Sequence, residues 1–100
     1  MVKPKIVIDG KEIVVGNPKA IVWRHMSDFS FSEADDVVLD MSKLIAETFN
    51  RTDVTTEVIL ENVDLQDITA LYRDCCSYVL GIFTTAMENI GKNVVSGAGD

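Results

Sequence analysis

The sequence predicts an α+β fold, mostly α, in which an N-terminal β-hairpin packs on a bundle of about four helices. Three observations carry that prediction. Two β-branched runs, Ile6-Val7-Ile8 and Ile13-Val14-Val15, flank a segment that begins Asp9-Gly10, the dipeptide a tight hairpin turn with positive φ requires. Downstream, apolar residues recur at three-and-four spacing, the period of a helix with one buried face. Finally, 100 residues that are 47% hydrophobic and 25% charged make one domain, with no room for a second core. A chain of this size buries roughly two-thirds of its unfolded surface, so it needs no metal or disulfide staple.

The hairpin is expected over residues 5–15. Gly16-Asn17-Pro18 then breaks the strand, and Pro18 suits a first helical position, so Ala20, Ile21, Trp23 and Met26 read as a short helix over about 18–28. Ser32-Glu33-Ala34-Asp35 is a variant capping box. It places a second helix over 32–49 with Val37, Val38, Met41, Leu44, Ile45, Thr48 and Phe49 on its apolar side. The polar turn Asn50-Arg51-Thr52-Asp53 precedes a two-turn helix over 55–61 carrying Val58, Ile59 and Leu60. Asp64-Leu65-Gln66-Asp67 repeats the capping logic for a long helix over 65–90, with Gly91 as its natural stop. The domain therefore spans 1–95, and the glycine-containing end, 96–100, reads as a flexible tail. The expected core comprises Trp23, Val38, Met41, Leu44, Ile45, Phe49, Ile59, Leu60, Leu65, Ile68, Leu71, Tyr72, Cys75 and Val79.

The net charge of -7 is unevenly placed. Residues 1–24 hold five basic and two acidic side chains, a net +3, whereas 25–91 hold three basic and thirteen acidic, a net -10. Such a body repels phosphate backbones and anionic headgroups, so neither nucleic acid nor a membrane surface is an expected partner. The plain reading of the acidity is solvated helix faces; the sharper one is a basic protein partner. The longest apolar stretches, such as Tyr78 to Phe83, fall far short of a membrane span, and the N-terminus carries no signal-peptide pattern. Adjacent Cys75 and Cys76 point about 100° apart on a helix, which opposes a disulfide and fits a reducing cytoplasm.

Catalytic chemistry has little to stand on. The sole histidine, His25, lies among Trp23, Arg24 and Met26 on the first helix, and no serine sits in an elbow motif. Asp35, Asp36 and Asp40 complement a helix dipole without forming a calcium loop. Cys75-Cys76 lacks Cys-x-x-Cys spacing, Gly10 and Gly16 make no phosphate loop, and Ser32 lacks the context of an acyl-carrier serine. No catalytic residue, metal ligand or cofactor is therefore expected.

The last helix is the informative element. Besides its stripe of Leu65, Ile68, Tyr72, Cys75, Val79, Ile82 or Phe83, Ala86 and Ile90, it carries Leu71, Tyr78, Leu80 and Met87. Apolar residues thus cover most of its circumference between Cys75 and Met87. Either the helix is central, or part of it docks another protein or another copy of the chain. The candidate docking residues are Leu80, Phe83, Thr84 and Met87, with Asp64, Asp67 and Glu88 as a polar rim.

The order of these pieces resembles a known family. Lys5-Ile6-Val7-Ile8-Asp9-Gly10-Lys11-Glu12-Ile13, Asn17-Pro18-Lys19-Ala20-x-x-Trp23-Arg24, an acidic helix ending Ala46-Glu47-x-Phe49-Asn50, Val54-Thr55-Thr56-Glu57 and Asn62-Val63-Asp64-Leu65-Gln66-Asp67 are similar in order to the tail assembly chaperones of long-tailed bacteriophages and prophages. The resemblance covers nearly the whole chain. It implies a non-enzymatic protein of the bacterial host's cytoplasm that coats the tape measure protein, keeps it soluble, and is displaced as the tail tube polymerises. It further implies absence from the mature virion and, through a frameshifted C-terminal extension, recruitment of the tail tube protein. Two other readings of the sequence are a virion joining or head-completion protein and an acidic regulatory or DNA-mimicking module.

Overall fold

A computed structural model describes the backbone of residues 3–99 and the side chains of residues 3–90. The chain runs β1 (Lys5–Ile8), β2 (Lys11–Val14), α1 (Ala20–Asp28), α2 (Val37–Phe49), α3 (Thr56–Asn62) and α4 (Leu65–Gly99). The fold is thus α+β, mostly α, with an N-terminal antiparallel hairpin and four helices. Asp9 and Gly10 both take positive φ, 53° and 77°, and Ile8 pairs with Lys11 around them. That is the two-residue turn whose twist matches the strands it joins. Ile6 and Ile13 pair directly and point into the core.

The hairpin is fastened to the end of α2. Asn50 closes α2 in the left-handed conformation (φ 49°), and its side-chain amide donates to the Asn17 carbonyl at 2.8 Å. The Gly16 N–H donates to the Phe49 carbonyl at 2.9 Å. A Cβ at Gly16 would stand 2.5 Å from that same carbonyl oxygen, so the approach requires glycine.

Three helix boundaries differ from the sequence expectation. Helix α1 begins at Ala20, with Lys19 as an N-cap lacking a side-chain bond, and Pro18 precedes it by one residue more. Helix α2 begins at Val37 rather than 32, because Asp36 caps it by accepting the Leu39 N–H at 3.0 Å. Ser32 is occupied otherwise: its hydroxyl meets that of Ser30 at 3.0 Å inside a turn closed by Ala34 N–H on the Ser30 carbonyl. Helix α4 passes through Gly91 and includes residues 96–99, expected to be a flexible tail; Asp100 lies outside the described residues. A glycine inside a helix costs only about 1 kcal/mol, and no proline follows to force a stop. The third helix matches closely, with Thr55 accepting the Val58 N–H at 3.2 Å.

The core joins both strands to α2, α3 and the first half of α4. Ile6, Ile13, Val15, Met41, Leu44, Ile45, Phe49, Val54, Ile59, Ile68, Leu71, Tyr72, Cys75 and Tyr78 form one buried cluster. Buried Ser42 and Thr48 satisfy their hydroxyls on the carbonyls of Val38 and Leu44 one turn back. Of the expected core, Leu60 and Leu65 are exposed instead, and Trp23 and Val38 are only half-buried. In the two-turn α3, Ile59 takes the single inward position and Leu60, about 100° around the helix, faces out. Leu65 sits at the first position of α4, before the helix meets its neighbours.

Candidate partner-binding surface

Helix α4 is 35 residues long, about 52 Å at the α-helical rise. Among the residues whose side chains are described, the other elements cover α4 only as far as Val79. Ile68, Leu71, Tyr72, Cys75, Tyr78 and Val79 are buried, whereas every residue from Ile82 to Ile90 is exposed. The apolar stripe nonetheless continues. Leu80, Phe83, Met87 and Ile90 follow one another at three- and four-residue spacing and are 54%, 46%, 51% and 56% exposed. Ile82 and Ala86 extend the core-facing side but are exposed, so burial of this side ends at Val79, the last residue of the expected core.

Helix α1 supplies the flank of this surface. The Trp23 ring lies on the Phe83 ring with centroids 4.4 Å apart and planes inclined by 34°. Half-buried Trp23 therefore edges this surface, whereas the sequence expectation counted it in the core. Two shallow apolar grooves open beside it. One of about 160 Å³ is lined by Pro18, Ala20, Trp23, Ile82, Phe83 and Ala86. The other, about 230 Å³, is lined by Trp23, Met26, Cys76, Val79 and Leu80.

The sequence-derived residues divide into two places. Leu80, Phe83 and Met87 share the stripe, with Thr84 and Glu88 beside it. The Thr84 hydroxyl is spent on the Leu80 carbonyl of its own helix, at 2.7 Å, and offers a partner mainly its methyl group. Asp64 and Asp67 are elsewhere: sixteen residues separate Asp67 from Phe83, about 24 Å along the axis, so these two carboxylates do not rim the stripe. They line a groove with β1 instead. The part played by Trp23 has no local signal in the sequence, because α1 and α4 are separated by two helices along the chain and meet only in the fold.

Between the stripe and the core lies an aromatic cluster. Phe29 contacts Phe31 and Tyr72 edge-on, with centroids 4.8 and 5.5 Å away, which ties the α1–α2 connection onto α4. Burial pushes the pKa of the Tyr72 phenol and of the Cys75 thiol well above their ordinary values, and that of Cys76 above its own. Neutral thiols are weak nucleophiles. His25 is exposed on α1 and its Nδ1 meets the Glu47 carboxylate at 2.7 Å, joining α1 to α2. Among the described residues no serine, threonine or cysteine hydrogen-bonds His25, no group of three or more His, Cys, Asp or Glu is placed to hold a metal ion, and no helix is long and apolar enough to cross a membrane. What the arrangement offers chemically is apolar docking area on a rigid helix beside an acidic body. Comparison with models of protein families, with curated proteins and with solved structures finds no match.

Proposed function

We propose that this chain is a non-enzymatic tail assembly chaperone of a long-tailed phage or prophage, which binds and solubilises the tape measure protein in the host cytoplasm before the tail tube polymerises. The observation that carries the reading is the uncovered stripe Leu80, Phe83, Met87 and Ile90, continuous with the core stripe and flanked by Trp23. A helical client laid along it would bury apolar area on both partners, and large aromatic anchors are the usual centre of such contacts. The acidic remainder keeps the loaded complex soluble and favours a basic client. The client's identity rests on the family resemblance of the chain.

Co-expression with the tape measure protein of the same gene neighbourhood tests the proposal. The wild-type chain is expected to keep the client soluble and to co-purify with it. Leu80→Asp combined with Met87→Asp should abolish co-purification while circular dichroism and melting stay near wild type. A wild-type chain that never co-purifies with the client overturns the assignment. Recovery of the chain from purified virions points instead to a joining protein.

A further inference from the structure

A second surface lies at the opposite end of α4 and has different chemistry. The groove beside β1, about 410 Å³, is lined by Lys5, Ile6 and Val7 on one wall and by Asp64, Asp67, Leu71 and Asp74 on the other. Three consecutive strand residues can line one groove only along a strand edge, because successive side chains point to opposite faces. The register makes that edge explicit. Ile8 and Lys11 close the turn, so Ile6–Ile13 is a hydrogen-bonded pair while Val7–Glu12 and Lys5–Val14 are not. The N–H and C=O groups of Lys5 and Val7 therefore point away from β2, towards the groove. Among the described residues none of the four has a hydrogen-bond partner outside the hairpin. The far edge of the hairpin differs, since Arg51 reaches the Val14 carbonyl at 3.4 Å.

Charge selects what could occupy the β1 edge. Among the described residues, no ion pair engages Asp64, Asp67 or Asp74. Lysine on an open edge commonly protects it. Here the Lys5 ammonium is paired with Glu12 at 3.3 Å on the outer face of the hairpin, and against it the groove carries three aspartates, so its lining is net acidic. Asp64 to Asp74 spans about 15 Å along α4, close to the roughly 13 Å of a four-residue strand. On the outer face Val7 and Val14 are both exposed, Val7 opposite Glu12 on the edge strand, and a third strand's side chains would sit beside Val7.

We infer that the β1 edge is a docking site for an extended basic segment of a protein partner, added as a third strand, with Lys or Arg at alternate positions facing Asp64, Asp67 and Asp74 and β-branched residues between them facing Val7. Main-chain bonds to Lys5 and Val7 hold the segment, and the carboxylates select its charge. The site stands independently of the α4 stripe and of the client assigned to it.

A fluorescent peptide of about eight residues alternating Lys and Val, near the length of an ordinary strand, is the probe. Anisotropy should show binding to the intact protein that weakens about tenfold as salt rises from ~0.05 to ~0.5 M. Asp67→Asn with Asp74→Asn should weaken it by about tenfold or more, the equivalent of two lost charge-assisted contacts. Two N-methylated peptides, methylated at every Lys or at every Val, remove the N–H groups of one edge each, and one of the two should fail to bind. Val7→Pro removes an outward N–H without touching a bond to β2, and should block binding with the melting transition retained; bound peptide should also slow amide exchange at Lys5 and Val7 in the wild-type chain. Equal binding by both N-methylated peptides would reduce the effect to charge attraction and overturn the proposal. So would a Glu-Val peptide that binds as well as the Lys-Val one, or no binding by the Lys-Val peptide at low salt.

Discussion

Gly16 holds more of the fold in place than its size suggests. It passes 2.5 Å from the Phe49 carbonyl measured from where a Cβ would be, and its N–H closes a bond to that oxygen. Backbone cannot yield as a flexible side chain can, so Gly16→Ala should cost about 1–3 kcal/mol in urea unfolding, the range for overpacking. Cys75, fully buried against Thr48, makes a pH-dependent contribution. Burial raises its thiol above the ordinary value of 9.0. The unfolded chain therefore releases this proton before the folded one does. The stabilisation is complete below pH 9.0 and declines as pH rises beyond it. The melting temperature should accordingly fall through the alkaline range, and Cys75→Ala should flatten that fall. Native Cys75 should also resist iodoacetamide at neutral pH and react once the protein is unfolded. The exposed Arg51–Asp53 pair works in the other direction: the guanidinium, bonded at 2.8 and 2.9 Å, holds the Asp53 carboxyl below the ordinary range. Its contribution is present above the ordinary carboxylate range and is lost as pH falls below it.

The elements show where sequence pattern is sufficient and where tertiary packing decides. Hairpin and α3 are local statements: Asp9-Gly10 dictates a turn, and Thr55, directly before the apolar residues of α3, caps it by accepting the Val58 N–H. The start of α2 is not local. Ser32 and Asp36 both qualify as caps, and the choice follows from Phe31 packing near Phe29 and Tyr72, which holds residues 31–33 in a turn. Asp36→Ala should then cost about 1 kcal/mol, whereas Ser32→Ala should be within about 0.5 kcal/mol of wild type. Denaturant unfolding of the two variants separates the caps directly. The candidate surface was half legible. Apolar excess in α4 was visible in Leu80, Phe83 and Met87, but where the covering elements end was not, because it depends on how far α1 and α2 reach along α4. The placement of Asp64 and Asp67 failed for a different reason: sixteen residues of one helix already put Asp67 about 24 Å from Phe83, so their distance from the stripe was legible in the spacing and the rim assignment overlooked it.

At the scale of the whole molecule the unfinished burial shapes the protein. Its dimensions of 55 × 34 × 21 Å and radius of gyration of 15.8 Å exceed the roughly 13 Å of a compact chain of this length. The long axis is close to the length of α4, whose residues 82–90 extend along the body without being enclosed by it. The exposed stripe can be shielded by a second copy, so sedimentation velocity should show reversible association as concentration rises. Association driven by apolar burial should survive high salt, and added salt should even favour it by screening the repulsion between copies of net charge -7. Leu80→Glu with Met87→Glu should keep the chain monomeric. Because both side chains are about half exposed, their replacement should shift unfolding by no more than about 1 kcal/mol, against about 3–5 kcal/mol for Phe49→Ala in the closed core. Phe83 makes a poorer probe, since its loss also strips the Trp23 ring of its neighbour. If the double Glu variant still associates as the wild type does, copies meet through some other surface, and the stripe stays uncovered by self-association at every concentration.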